Sequence, residues 1–130
     1  TATEAASVTD YAAPIPILRS FDEAKAKDFY CEFVGFRVDW ELRFGAGLPL
    51  YFQVSLGACV LHLSEHHGDA TPGSALRIEV EDVEALAAAL RAKNYGNARP
   101  GVEKQPWGMA ECRVIDPFGN RLVFCQPLES

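Results

Sequence analysis

Few residues in this 130-residue chain could do chemistry, and their spacing limits what that chemistry is. The three histidines are His62, His66 and His67, with Glu65 and Asp69 among them. Imidazole and carboxylate together can hold a divalent metal. His66 and His67, however, are adjacent in a Gly-containing stretch. They have neither the i, i+4 spacing of a helix face nor the i, i+2 spacing of a strand face, and no second His or Cys cluster exists. A solvated polar loop is the simpler account of this segment. His62 differs, because it falls within an apolar-alternating run and lies on that run's polar side, where an imidazole can act as a hydrogen-bonding or acid–base group near neutral pH. No Ser-His-Asp elbow, phosphate loop or dinucleotide fingerprint is present.

The second chemical feature is Gln105-Pro106-Trp107-Gly108, followed by Asp116-Pro117-Phe118-Gly119-Asn120. Pro106 and Gly108 bracket Trp107 and are poorly suited to a central strand, so the stretch reads as a bend that presents an indole. Asp-Pro-Phe-Gly-Asn is turn chemistry: Pro117 presets φ, Gly119 admits positive φ, and Asp116 and Asn120 can bond nearby backbone. Taken on the residues alone, Trp107 is open to two readings, a core residue or an exposed stacking surface.

The elements that position these groups follow from periodicity. Residues 1–13 are small and polar and read as a loose arm, with Pro14 and Pro16 at its exit. Ile15 to Arg19 is a short strand. Ser20-Phe21-Asp22-Glu23 resembles a capping box, with Ser20 as cap, for a helix to about Val34. Ala26, Phe29, Tyr30, Phe33 and Val34 share one helical face, and Gly35 closes the helix. Strands are expected over Phe36 to Leu42, Leu50 to Ser55 and Ala58 to Ser64. Residues 65–73 form a linker. A strand from Ser74 to Glu81 precedes a helix capped by Asp82, with Val83, Leu86, Ala87 and Leu90 on one face. A weaker strand over Ala98 to Lys104 and strands Met109 to Ile115 and Arg121 to Gln126 complete the chain.

Side by side, the halves 14–64 and 74–127 repeat one plan, strand, helix, strand, strand, strand. This predicts an α+β fold of two βαβββ modules, each helix packed on one face of its sheet, within one domain spanning 14–127. Strand alternation sends Phe52, Val54, Leu61, Leu63, Leu76, Ile78, Cys112, Val114, Leu122 and Phe124 toward the helices. Tyr51, Gln53, His62, Arg77, Glu79, Glu111, Arg113 and Arg121 fall on the opposite face. That face is either an ordinary solvated surface or a concave binding surface.

Composition sets the outer limits. Hydrophobic residues make up 48% and aromatics 11%, enough for a core without staples. Cys31, Cys59, Cys112 and Cys125 are scattered in apolar settings and read as reduced, buried thiols. The formal charge of -6 argues against a nucleic-acid partner and favours a cationic one. No apolar run approaches membrane-span length, and no signal peptide is apparent, so a cytoplasmic, membrane-free protein is expected.

On the paired βαβββ plan, the helix stretch Ala26-Lys-Asp-Phe-Tyr-Cys-Glu-Phe-Val-Gly-Phe36 and the turn Asp116-Pro-Phe-Gly-Asn-Arg-Leu, the chain resembles the glyoxalase / bleomycin-resistance / extradiol-dioxygenase superfamily, the vicinal oxygen chelate proteins. Lys104-Gln-Pro-Trp-Gly108 is most similar to the bleomycin-resistance branch. The resemblance implies curved half-barrel sheets and a strand-exchanged homodimer, its N-terminal strand crossing to the partner at the Pro14/Pro16 step. The superfamily's metal-ligand positions fall on Ile15, His62, Ala75 and Val123, of which only His62 can bind a metal, so no metal and no cofactor is implied. What is implied is sequestration of a cationic glycopeptide antibiotic such as bleomycin in a dimer cleft. Trp107, Trp40 and Phe44 would be the aromatic walls, with Tyr51, His62, Glu79, Glu111 and Arg113 beside them. The alternative is a glyoxalase-fold enzyme, a lyase, isomerase or transferase, using His62 with Glu79 or Glu111 and a weakly bound divalent metal.

Overall fold

A computed structural model describes residues 11–96 and 100–128. Two four-stranded sheets are present, one per half, with the same strand order. The first is built from β1 (Ile17–Arg19), β2 (Arg37–Leu42), β3 (Tyr51–Leu56) and β4 (Cys59–Ser64), in the order β1-β4-β3-β2. The second is built from β5 (Ala75–Glu79), β6 (Val102–Lys104), β7 (Met109–Ile115) and β8 (Arg121–Pro127), in the order β5-β8-β7-β6. Within each sheet the first and last strands of the half pair in parallel and the remaining pairs are antiparallel. The α+β fold of two βαβββ modules is therefore present as expected.

The first helix starts as α1 (Glu23–Lys27) and continues as a wider, π-helical stretch over Asp28–Val34. Its cap is not Ser20. Asp22 accepts from Lys25 N at 2.9 Å, while Ser20 N donates to Ser64 O and extends the β1–β4 pairing. Strand pairing outcompetes the capping box, and Glu23 turns outward to Lys27 and Arg43 at 2.7 Å each. Gly35, at φ 104°, ends the helix, its N–H and that of Phe36 both reaching Tyr30 O. The second helix, α2 (Val83–Ala92), is capped by Asp82 on Ala85 N at 3.0 Å.

Other boundaries also moved. β1 begins at Ile17 rather than Ile15, because Pro16 offers a carbonyl (to His62 N, 2.9 Å) but no N–H. β6 is only Val102–Lys104: Pro100 cannot donate to a ladder, and residues 97–99 lie outside those described, as does the predicted arm up to residue 10.

One hydrophobic cluster draws on both halves, from Leu18, Phe29, Phe33, Phe52 and Leu63 to Val83, Leu90, Val114, Leu122 and Phe124. Tyr95 packs on Phe33 at 4.7 Å and on Phe29 at 5.8 Å, so the two modules meet through rings. Lys93 Nζ donates to the carbonyls of Glu32 and Phe33 at 3.0 and 2.8 Å, placing a cation on the free carbonyls at the end of the first helix. All four cysteines are free; Cys112 and Cys125 are buried, and Cys31 and Cys59 are half-buried.

The Asp116–Asn120 turn locks the halves together. Asp116 Oδ1 accepts from the backbone N–H groups of Phe118 and Asn120, both at 2.8 Å. Its Oδ2 accepts from Tyr30 Oη at 2.5 Å and Asn120 Nδ2 at 2.9 Å. Asn120 also donates to Arg19 O and accepts from Ser74 N. Each polar group of this buried cluster is matched, which is what removal from water requires.

Candidate functional site

Both sheets turn a second face away from the helices. On the first sheet, the register aligns Ile17, His62, Gln53 and Trp40 across four strands. A β-bulge between Val38 and Trp40 makes this alignment possible, because Asp39 is the extra residue. The bulge keeps Val38 opposite core residue Val54 and still brings Trp40 and Leu42 onto the face of Gln53 and Tyr51.

The rings on this face touch. Trp40 and Tyr51 are nearly parallel, 8° apart with centroids 5.9 Å apart. His62 stands edge-on to both, at 5.3 and 5.2 Å. The His-rich loop returns over the patch, where His66 approaches Tyr51 at 6.4 Å and Phe44 at 6.2 Å. Ser64 pins this loop by donating to Asp69 at 2.6 Å and accepting from His66 N at 3.1 Å. Trp40 remains 42% exposed and Phe44 76%, so the surface is aromatic yet open. His62 Nδ1 lies 2.6 Å from Tyr51 Oη and its Nε2 3.0 Å from Gln53 Oε1. Burial lowers the His62 pKa below 6.5, and burial followed by the Asp69 charge raises that of the Tyr51 phenol.

The second sheet presents a charged face instead. Its matching row is Arg77, Val123 and Arg113. Arg77 reaches across β8 to Glu111 Oε2 at 2.6 Å, and the same oxygen accepts the Trp107 indole N–H at 3.2 Å. The guanidinium first, then the indole, hold the Glu111 pKa below the usual carboxylate range. Glu111 is only 5% exposed, so it does not stand on an open polar face as the alternation suggested. Two groups converge on it, one from β5 across β8 and one from the turn before β7. Beside it lies a pocket of about 240 Å³ lined by Gly101, Val102, Glu103, Gln105, Glu111 and Arg113. Trp107 itself sits in the β6–β7 turn, closed by Gly108 N to Gln105 O at 3.1 Å, and is 61% exposed.

The expected site residues thus fall into two sets. Trp40, Phe44, Tyr51 and His62 gather on the first sheet, and Trp107, Glu111 and Arg113 on the second. Glu79 is exposed at the end of β5, in a row with Cys125 and Glu111 but two strands from the latter. Among the described residues no ring contact or hydrogen bond joins the two sets. Sequence reasoning did not single out His66 or Arg77 as contributors. From the sequence, His66 reads only as a metal-ligand candidate set aside within a solvated loop, and Arg77 carries only its place on the polar face of its strand.

The superfamily's metal positions do not form a donor set here. Ala75 and Val123 supply no ligand atoms, Ile15 lies outside β1, and both His62 nitrogens already have protein partners. No cluster of three His, Cys, Asp or Glu able to hold a metal occurs among the described residues. Nor, among the described residues, is any helix long and apolar enough to cross a membrane.

A family model described as a glyoxalase superfamily protein matches residues 2–130. No curated protein matches the sequence. Several solved structures share the fold. A bleomycin resistance determinant encoded on the transposon Tn5 is 22% identical, with a TM-score of 0.69 over 90% of this chain and 98% of its own. A bleomycin-binding protein complexed with bleomycin is 21% identical, with a TM-score of 0.65 over 89% and 98%. An antibiotic-binding protein from Streptomyces sp. CB03234 is 25% identical, with a TM-score of 0.62 over 91% and 98%.

Proposed function

The chain belongs to the glyoxalase superfamily, and on that premise we propose that it is a metal-independent binding protein that sequesters a flat, cationic antibiotic of the bleomycin type. The observation that carries this reading is the pair of exposed tryptophans on faces that do not pack on the helices, Trp40 at 42% and Trp107 at 61%. Exposed indoles held by neighbours, Trp40 by Tyr51 and Trp107 by Glu111, are ready surfaces for stacking on a heteroaromatic ligand. The exposed carboxylates Glu79 and Glu103, with the net charge of -6, suit a cation.

The two walls lie on different sheets. A homodimer in which one chain's first sheet faces its partner's second sheet would close them into a shared cleft, and the fold neighbours that bind bleomycin and other antibiotics support that use of the scaffold. The enzymatic alternative has less support. It needs a free carboxylate beside His62, but within one chain Glu79 and Glu111 belong to the other sheet, and Glu111 is already held by Arg77 and Trp107.

Titration with bleomycin tests the reading. Tryptophan emission is expected to quench with about one drug per chain, since stacking is the main contact. The drug should be released unaltered, and prior dialysis against a chelator should change nothing. Light scattering should report a dimer. Unquenched emission across the titration would sink the proposal.

A further inference from the structure

We propose that Tyr51 Oη is an obligate hydrogen-bond acceptor toward the ligand, so that the aromatic face of the first sheet selects flat molecules carrying an N–H or O–H donor at their edge. The proposal rests on reading this face as a ligand-binding surface and adds the polarity of the group it recognises.

The polarity follows from four side chains in series. Asp39, the bulge residue of β2, accepts from Gln53 Nε2 at 3.0 Å on Oδ2, and its Oδ1 lies 3.3 Å from Arg37 Nε. The Gln53 amide first, with Ser55 and Arg37 adding to it, holds the Asp39 carboxyl below its usual range, so it is an ionised group with only acceptor atoms. Gln53 must therefore turn its NH₂ to Asp39 and its carbonyl oxygen to His62, since the reversed amide would set oxygen against oxygen. Gln53 Oε1 lies 3.0 Å from His62 Nε2 and can only accept, so Nε2 carries the hydrogen. Burial favours neutral His62, which has a single ring hydrogen. His62 Nδ1 is then a bare lone pair, and the one hydrogen available between it and Tyr51 Oη, 2.6 Å away, is the phenolic one. Tyr51 is left with lone pairs and no donor to offer.

Among the described residues Tyr51 Oη has no partner besides His62, and the ring is only half-buried. Trp40, parallel to the Tyr51 ring at 8°, and His66, 6.4 Å from it between centroids, add aromatic surface beside that ring. A ligand stacked there with a carbonyl or ether oxygen at its edge would place lone pair against lone pair, whereas an N–H would complete the chain. The order Asp39–Gln53–His62–Tyr51 thus makes a surface carboxylate, remote from the ligand, a determinant of specificity.

Two measurements on the full chain test this. In nitrogen-15 spectra of the His62 ring, the expected tautomer has hydrogen on Nε2 and none on Nδ1, and Asp39→Asn, which frees the Gln53 amide to reverse, should mix the tautomers. Indole and benzofuran then serve as neutral probes of the same shape, one with N–H where the other has oxygen, followed through the Tyr51 and His62 resonances. Indole is expected to bind about tenfold more tightly, the factor for one matched against one mismatched hydrogen bond. Tyr51→Phe, which keeps the ring and removes the oxygen, should abolish the preference; if that variant does not fold, Asp39→Asn should reduce it. A His62 ring protonated on Nδ1, equal binding of the two probes, a preference that survives Tyr51→Phe, or no shift with either probe each overturns the inference. Selectivity for indole without any response to bleomycin would keep it and remove the drug-sequestration reading instead.

Discussion

The two turns at the ends of β7 are built from the same residue vocabulary and end up with opposite roles. Gln105-Pro-Trp-Gly108 closes one end with two backbone hydrogen bonds, Gly108 N to Gln105 O at 3.1 Å and Gln105 N to Met109 O at 2.7 Å, and its largest side chain stays 61% exposed. Asp116-Pro-Phe-Gly-Asn120 closes the other end with its polar side chains buried and bonded to β1, the first helix and the start of β5. Each uses Pro to preset φ and Gly to take positive φ, 86° at Gly108 and 89° at Gly119. Local turn chemistry therefore decides that the chain reverses. What surrounds the turn decides whether it presents a side chain or ties the fold together.

Substitutions should separate the two turns, and the largest effect belongs to the buried one. Asp116→Ala strands Tyr30 Oη, the Asn120 amide and two backbone N–H groups away from water. A loss of about 4 kcal/mol in urea unfolding is expected, as for other broken buried networks. Tyr30→Phe removes one member of the cluster and should cost roughly 1–3 kcal/mol. Burial, then the Asp116 charge, push the Tyr30 phenol far above its ordinary value of 10.0. The unfolded chain therefore ionises this tyrosine at a pH where the folded chain does not. Its contribution is complete below about pH 10 and declines as pH rises further, so the alkaline limb of the stability curve should flatten in Tyr30→Phe.

The exposed turn should respond in the other currency. Trp107→Ala should leave unfolding within about 0.5 kcal/mol of the parent, as surface changes do. Bleomycin affinity, in contrast, should fall about tenfold with the loss of one stacking wall. Smallest of all is Glu111→Leu: in a Trp40→Phe background, where indole 107 is the sole tryptophan, its emission anisotropy should drop as the hydrogen bond that orients it is lost. If Trp107→Ala destabilised as strongly as Asp116→Ala, the contrast between the turns would collapse.

Much of the fold was legible because it rests on local pattern. Helical spacing from Ala26 to Val34 and from Val83 to Leu90, and alternation in β3, β4, β7 and β8, placed the elements and their core-facing residues correctly, although Val123 and Cys125 of β8, expected on the open face, are buried as well. Errors arose where partners distant in sequence competed with a local motif. Ser20 satisfies the capping-box pattern, yet its N–H is taken by Ser64, and Asp22 caps instead. Individual aromatics of the candidate site were also legible as types. Their grouping was not, because it depends on the bulge at Asp39, which no residue in Arg37–Leu42 announces, and on a loop that folds His66 back over Tyr51. Glu111 was assigned to the right face, but its burial required Arg77, 34 residues away, to bridge a strand.

The Asp116–Asn120 cluster also bears on the order of folding. Its hydrogen bonds join residues 86 and 101 positions apart, Tyr30 to Asp116 and Arg19 to Asn120. Such bonds close only after both βαβββ halves have collapsed, since loop-closure entropy delays contacts of long sequence separation. They should be absent from the transition state, so substitutions there would act mainly by accelerating unfolding and leave the refolding rate nearly unchanged. The turn that reads as a simple chain reversal would then govern how long the molecule, once folded, stays so.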